Sequence, residues 1–96
     1  AKNVSKGKSD SGILVCKTGT GMSIAANKIK KIRAANVTST KGAKLSRQHN
    51  NANVLCMGSA FISEKKAQKI VDAWLAANFE GGRHERRVNK IIKMEK

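Results

Sequence analysis

GILVCKTGTGMSIAANK, residues 12–28, reads as a short strand, a glycine-punctuated turn and the opening of a helix. Gly12, Ile13, Leu14 and Val15 form an unbroken apolar run with a β-branched bias, the pattern of a parallel strand covered on both faces. Cys16 stands where that strand ends. Thr18, Gly19, Thr20 and Gly21 make the turn, and a helix is expected over residues 22–28. In open α/β sheets ligands sit at the carboxyl ends of strands, against helix N-termini whose free N–H groups and dipole attract anions. The spacing is neither a dinucleotide fingerprint nor a P-loop. A cysteine at the mouth of such a turn is more telling, because a helix N-terminus favours the thiolate, the nucleophilic and basic form. The competing reading is an inert thiol at a strand end.

Outward from this stretch the chain keeps alternating. Ile32 to Val37 is a second strand, followed by hydroxyls at Thr38, Ser39 and Thr40 that can cap a helix through about Gln48. Asn53 to Met57 is a third strand, with Cys56 inside its apolar run and therefore a core thiol. Ser63 caps the next helix, whose apolar face is Ile70, Val71, Trp74 and Leu75. Gly81 and Gly82 break it, and Arg83 to Lys93 is a final basic helix with Val88, Ile91 and Ile92 on one side. The polar, lysine-rich residues 1–11 read as a helix tail. Strands alternating with helices indicate a parallel sheet with helical crossovers, an α/β fold. Three strands leave two open edges, so the chain reads as part of a larger α/β layer or one that leans on a partner.

Ninety-six residues make one small domain. No apolar run is long enough to cross a membrane, the start lacks the core of a signal peptide, and two cysteines without zinc spacing fit a reducing, cytoplasmic setting. A net charge of +14 favours anionic partners. The basic residues are scattered, no nucleic-acid module is visible, and Phe61, Trp74 and Phe79 read as core contacts, so nucleic acid is not the expected partner. Two polar clusters remain. Arg47, Gln48, His49, Asn50 and Asn51 precede the third strand. Arg83, His84, Glu85, Arg86 and Arg87 open the last helix, with Arg83 and Arg87 four apart on one face, an arrangement that suits bidentate phosphate binding. A surface histidine and a solvated basic helix are the blander readings of the same residues.

With these clusters in view, the sequence resembles the type B ribose-5-phosphate isomerases, related to galactose-6-phosphate isomerase. The likeness is carried by GILVCKTGTGMSIAANK, LSRQHNNANVLCMGS and IVDAWLAANFEGGRHERRV, in order over nearly the whole chain. It implies a Rossmann-like α/β/α sandwich, of which residues 1–96 form a single domain matching the C-terminal two-thirds, without the family's N-terminal strands. It also implies an aldose–ketose isomerase of the pentose phosphate pathway, acting on ribose 5-phosphate through an enediolate, with no metal or organic cofactor. The working unit would be a homodimer or larger homo-oligomer, with active sites at the subunit interface.

In that scheme Cys16 moves the proton between C1 and C2, and the N–H groups of Gly19, Thr20, Gly21, Met22 and Ser23 stabilise the enediolate. His49, helped by Thr18, opens the furanose ring; Asn50 orients the sugar; Arg83 and Arg87 hold the phosphate. Three differences from the family pattern stand out. Its Asp-His pair on the opening strand is not in this sequence. Lys17 replaces a glycine after the cysteine, a costly exchange if that backbone needs a positive φ. Ala60 replaces an arginine, removing one phosphate contact. These differences motivate an alternative, a non-catalytic relative with a structural or phosphate-binding role.

Overall fold

The computed structural model describes residues 11–95, so the helix tail expected over residues 1–11 lies, Ser11 apart, outside the described residues. The described elements run β1 (Gly12–Cys16), α1 (Thr20–Asn27), β2 (Ala34–Asn36), α2 (Thr40–Asn50), β3 (Val54–Gly58), α3 (Glu64–Ala76) and α4 (Arg83–Lys93). The three strands form a parallel sheet in the order β1-β3-β2, with Gly12 opposite Val54, Cys16 opposite Gly58 and Ala34 opposite Val54.

The side chains of β3 divide the core. Val54 and Cys56 point to the face covered by α1, where they meet Ala26, Ile32 and Leu14. Leu55 and Met57 point the other way and pack with Val37, Ala43, Ile70 and Trp74 beneath α2 and α3. The result is a three-layer α/β/α arrangement. Chain direction explains it. The crossover from β1 to β2 steps over the β3 position, and the crossover from β2 to β3 steps back. Right-handed connections running in opposite directions must lie on opposite faces.

Helix ends follow the sequence. Ser39 accepts the Gly42 N–H at 3.0 Å and Ser63 accepts the Lys66 N–H at 3.2 Å, the expected N-caps of α2 and α3. Asn51, at φ 48°, closes α2 in the left-handed region, with its N–H on Arg47 and that of Ala52 on Ser46. Helix α1 begins two residues earlier than expected, at Thr20, because Gly19 at φ 81° turns the chain sharply enough for Ser23 N–H to reach the Gly19 carbonyl. Strand β2 is shorter than expected. Arg33 N–H is taken by the Asn53 side chain at 2.7 Å rather than by a sheet partner.

Several burial expectations are overturned. β1 is covered on one face only: Leu14 faces α1, while Ile13 is 43% and Val15 58% exposed, because α2 and α3 do not extend over that edge of the sheet. Phe61 is 63% exposed on the turn after β3, not a core residue. Leu75 of α3 and Ile91 and Ile92 of α4 are also exposed. The inward stripes are narrower than the apolar pattern, being Ile70 and Trp74 on α3, and His84 and Val88 on α4. Trp74 and Cys56 are fully buried, as read.

Candidate active site

Adjacent strands β1 and β3 send their following helices to opposite faces of the sheet. The crevice at their carboxyl ends is where an open α/β sheet accepts a ligand. Cys16 and Gly58 stand side by side there. The two loops leave together: Ser59 N–H donates to the Cys16 carbonyl at 2.7 Å and Ala60 N–H to the Lys17 carbonyl at 2.8 Å. Gly58 permits this, since a Cβ there would collide with the Thr18 backbone. Lys17 is not among the positive-φ residues, so its replacement of glycine costs no backbone strain, and its side chain is exposed.

The turn brings the thiol to the helix end. Gly19 N–H donates to Cys16 Sγ at 3.0 Å, and the Thr18 hydroxyl accepts the Thr20 N–H at 3.3 Å. Gly19 offers no capping side chain. Because the first intrahelical bond runs from Ser23 N–H to Gly19, the N–H groups of Gly21 and Met22 have no acceptor within the helix. Cys16, Thr18, Gly19, Thr20, Gly21, Met22 and Ser23 therefore form one group: a half-buried sulfur beside a cluster of N–H donors that suits a developing oxyanion. The second thiol differs. Burial pushes the Cys56 thiol up, with Cys16 adding to the effect, and Cys56 has no solvent access.

His49, Asn50, Arg83 and Arg87 form a second group. Residues 51–53 lead from α2 into Val54, the first residue of β3, so His49 and Asn50 lie at the amino end of the sheet. Cys16 lies at the carboxyl end, about 13 Å away along a five-residue strand. The last turn of α2 is held by Arg47, whose guanidinium lies 5.0 Å from the Trp74 ring and donates to the Ala52 carbonyl at 2.7 Å. Opposite, Gly81 and Gly82 take positive φ values of 70° and 56° and fold the chain into α4. That turn seats His84 against His49, ring centroids 4.2 Å apart and planes 9° from parallel. Arg83 and Arg87 flank the buried His84–Val88 stripe and are exposed. Asn50 also lines an open cavity of about 440 Å³ beside Arg33 and Glu95.

Sequence reasoning gave no role to His84 or Glu80. Glu80 Oε1 lies 3.6 Å from His84 Nε2 and 3.9 Å from His49 Nε2. The signal was present in the sequence as carboxylate, imidazole and valine at four-residue intervals, residues 80, 84 and 88. Burial of a polar residue pushes the His84 imidazole down from its ordinary proton affinity, with His49, Arg83 and Arg87 acting in the same direction and Glu80 against.

A thiol beside a helix N-terminus at one end of the sheet, and an imidazole–arginine cluster at the other, are the two polar groups that this α/β fold assembles. The chain belongs to the ribose/galactose isomerase family, whose model matches residues 1–91. It is 59% identical over 87 residues to the probable ribose-5-phosphate isomerase B of Mycoplasma genitalium, covering 91% of this chain and 57% of that protein. It is 52% identical over 92 residues to ribose-5-phosphate isomerase B of Escherichia coli, covering 96% of this chain and 62% of that protein. The crystal structure of the Mycoplasma genitalium enzyme with bound ribulose-5-phosphate superposes with a TM-score of 0.92 at 55% identity, covering 96% of this chain and 61% of that one. The chain thus spans about three-fifths of the length of the relatives it matches. Among the described residues no helix is long and apolar enough to cross a membrane.

Proposed function

We propose that this chain carries the chemistry of an aldose–ketose isomerase that interconverts ribose 5-phosphate and ribulose 5-phosphate. The observation behind the reading is the Cys16 sulfur accepting the Gly19 N–H at 3.0 Å, at the mouth of a helix whose first N–H groups lack intrahelical acceptors. His49 acts first as general acid–base, assisted by the Thr18 hydroxyl, and opens the furanose ring. The Cys16 thiolate then removes the C2 proton. Electrons of the C2–H bond form the C1–C2 double bond, and the carbonyl oxygen becomes an enediolate oxygen. In the turn from Gly19 to Ser23, the Gly21 and Met22 N–H groups, which have no acceptor within the helix, stabilise that charge. Transfer of the O2 proton to O1, with return of the sulfur-bound proton to C1, gives the ketose. Asn50 orients the sugar, and Arg83 and Arg87 hold the phosphate.

The two residue groups stand at opposite ends of one sheet, and no substrate of five carbons bridges them within a chain. The active unit is therefore a homodimer in which the Cys16 end of one chain faces the His49 end of the other. The Cys16 and Cys56 thiols, both free, suit a reducing cytoplasm. Residues 1–96 act as one domain corresponding to the C-terminal part of the family fold.

A second reading, a sugar-phosphate-binding relative without turnover, is favoured by the exposure of Ile13 and Val15 in a chain that spans about three-fifths of its relatives' length. The test is interconversion of the two pentose phosphates by the purified chain beside Cys16→Ser. Turnover lost in the variant supports the isomerase. Binding of ribose 5-phosphate without turnover by the folded wild type selects the second reading.

A further inference from the structure

The stacking of His84 on His49, and the Glu80 carboxylate close to both, are not absorbed by the chemistry above. Three groups from two separate elements meet here: His49 from the last turn of α2, His84 from the first turn of α4, and Glu80 from the connection before it. The meeting is built into the backbone. Glu80 N–H donates to the Gln48 carbonyl at 3.0 Å, which pins the connection to the residue beside His49. Gly81 and Gly82 then turn the chain through positive φ so that His84, 6% exposed, slides under the His49 ring. His49 itself keeps 38% of its side chain accessible, so one ring supports and the other faces outward.

A metal ion would be the obvious occupant of two imidazoles and a carboxylate, and the ring geometry argues against it. The lone pairs of an imidazole lie in its ring plane. Two rings within 9° of parallel and 4.2 Å apart aim theirs along parallel lines, not at the common point about 2 Å from each nitrogen that a zinc ion needs. The same geometry suits a different task. A neutral His84 carrying its proton on Nε2 offers an N–H towards Glu80 and leaves Nδ1 as a bare acceptor. That matches the absence of any hydrogen-bond partner on the buried Nδ1, since an unpaired acceptor is tolerated more readily than an unpaired N–H. The groups facing His84 are His49, Arg83, Glu80 and Arg87; burial first, then His49, Arg83 and Arg87, lower its proton affinity, with Glu80 acting against them.

We propose that Glu80 and His84 are positioning residues for His49: the His84 ring fixes the plane of the His49 imidazole, and the Glu80 carboxylate, 3.9 Å from His49 Nε2, favours the proton on that nitrogen by electrostatic attraction, leaving Nδ1 free for the sugar. This deepens the isomerase reading and rests on it for its catalytic meaning. A carboxylate that chooses the tautomer of a working histidine acts through that histidine and never touches substrate.

The test reads the imidazole directly and then the reaction. Nitrogen-15 spectra of the side chains in the full 96-residue chain should show His49 protonated on Nε2, with its carbon-bound protons shifted upfield by the neighbouring ring. Glu80→Ala should move both His49 nitrogens towards the values of an averaged tautomer. His84→Ala should abolish the ring-current shift, and His84→Phe, which keeps an aromatic face, should restore it. In pentose phosphate turnover, His84→Ala should lower kcat at least about tenfold with KM little changed, and His84→Phe should recover most of it. Unchanged His49 resonances in folded Glu80→Ala and His84→Ala proteins would overturn the assignment. So would altered resonances with kcat at the wild-type level. If the wild type shows no turnover while the spectra respond as stated, the positioning holds and it is the isomerase reading that fails.

Discussion

Adding one methyl group at Gly58 should damage the carboxyl-end site. Its Cβ would overlap the Thr18 main chain, where there is backbone and no flexible side-chain tip to give way. Relief requires the loops after β1 and β3 to part, which threatens the Ser59-to-Cys16 and Ala60-to-Lys17 hydrogen bonds of 2.7 and 2.8 Å. Overpacking of this kind costs about 1–3 kcal/mol, and each backbone hydrogen bond contributes about 0.5–1.5 kcal/mol. Gly58→Ala should therefore lose about 2–6 kcal/mol, a large share of the stability of a chain this size. Urea unfolding followed by Trp74 fluorescence measures it, with Gly21→Ala as the control. A Cβ at Gly21 meets nothing within 4 Å and φ is not positive, so that change should be neutral or stabilise by about 0.4–1 kcal/mol. A Gly58→Ala loss below about 1 kcal/mol would refute the close-approach reasoning.

Trp74→Ala, removing a fully buried ring, should cost about 3–5 kcal/mol, whereas Phe61→Ser on the exposed turn should stay within about 0.5 kcal/mol in denaturant titrations. The His84 proton affinity is lower in the fold than its ordinary value of 6.5, so below about pH 6.5 the unfolded chain takes up a proton that the native chain resists. Stability should thus fall as pH drops through that value and be flat above it, and His84→Phe should shrink the acid-side slope in melts between about pH 5 and 8. Arg83→Ala and Arg87→Ala should each raise KM for ribose 5-phosphate about tenfold to a hundredfold with a smaller effect on kcat, the loss of one charge-assisted phosphate contact.

The strand–turn–helix around Cys16 was legible because an apolar run, a cysteine and two glycines leave few alternatives, and both serine N-caps could be read from residue type and position. The exposure of Ile13, Val15, Phe61, Leu75, Ile91 and Ile92 was not legible. Apolar spacing tells which side chains share a face, while burial depends on whether another layer reaches that face, and here α2 and α3 stop short of β1. The division of the candidate site was hidden for a related reason. Cys16 and His49 look like partners in sequence, yet a parallel sheet puts the residue after one strand and the residue before another at opposite ends. His84 stands among arginines in the sequence, and its value depends on a ring from α2 that only the fold stacks over it.

The central claim is that one active site needs the Cys16 end of one chain and the His49 end of another. Subunit complementation tests it most directly: Cys16→Ala and His49→Ala chains, each folded and each inactive alone, are mixed in equal amounts and allowed to exchange. Random exchange makes half the dimers mixed, each with one intact site of two, so about a quarter of wild-type pentose phosphate turnover should return. No recovery from exchanged dimers, under conditions where the wild-type chain is active, would show that each site draws both residues from a single chain and would contradict the account.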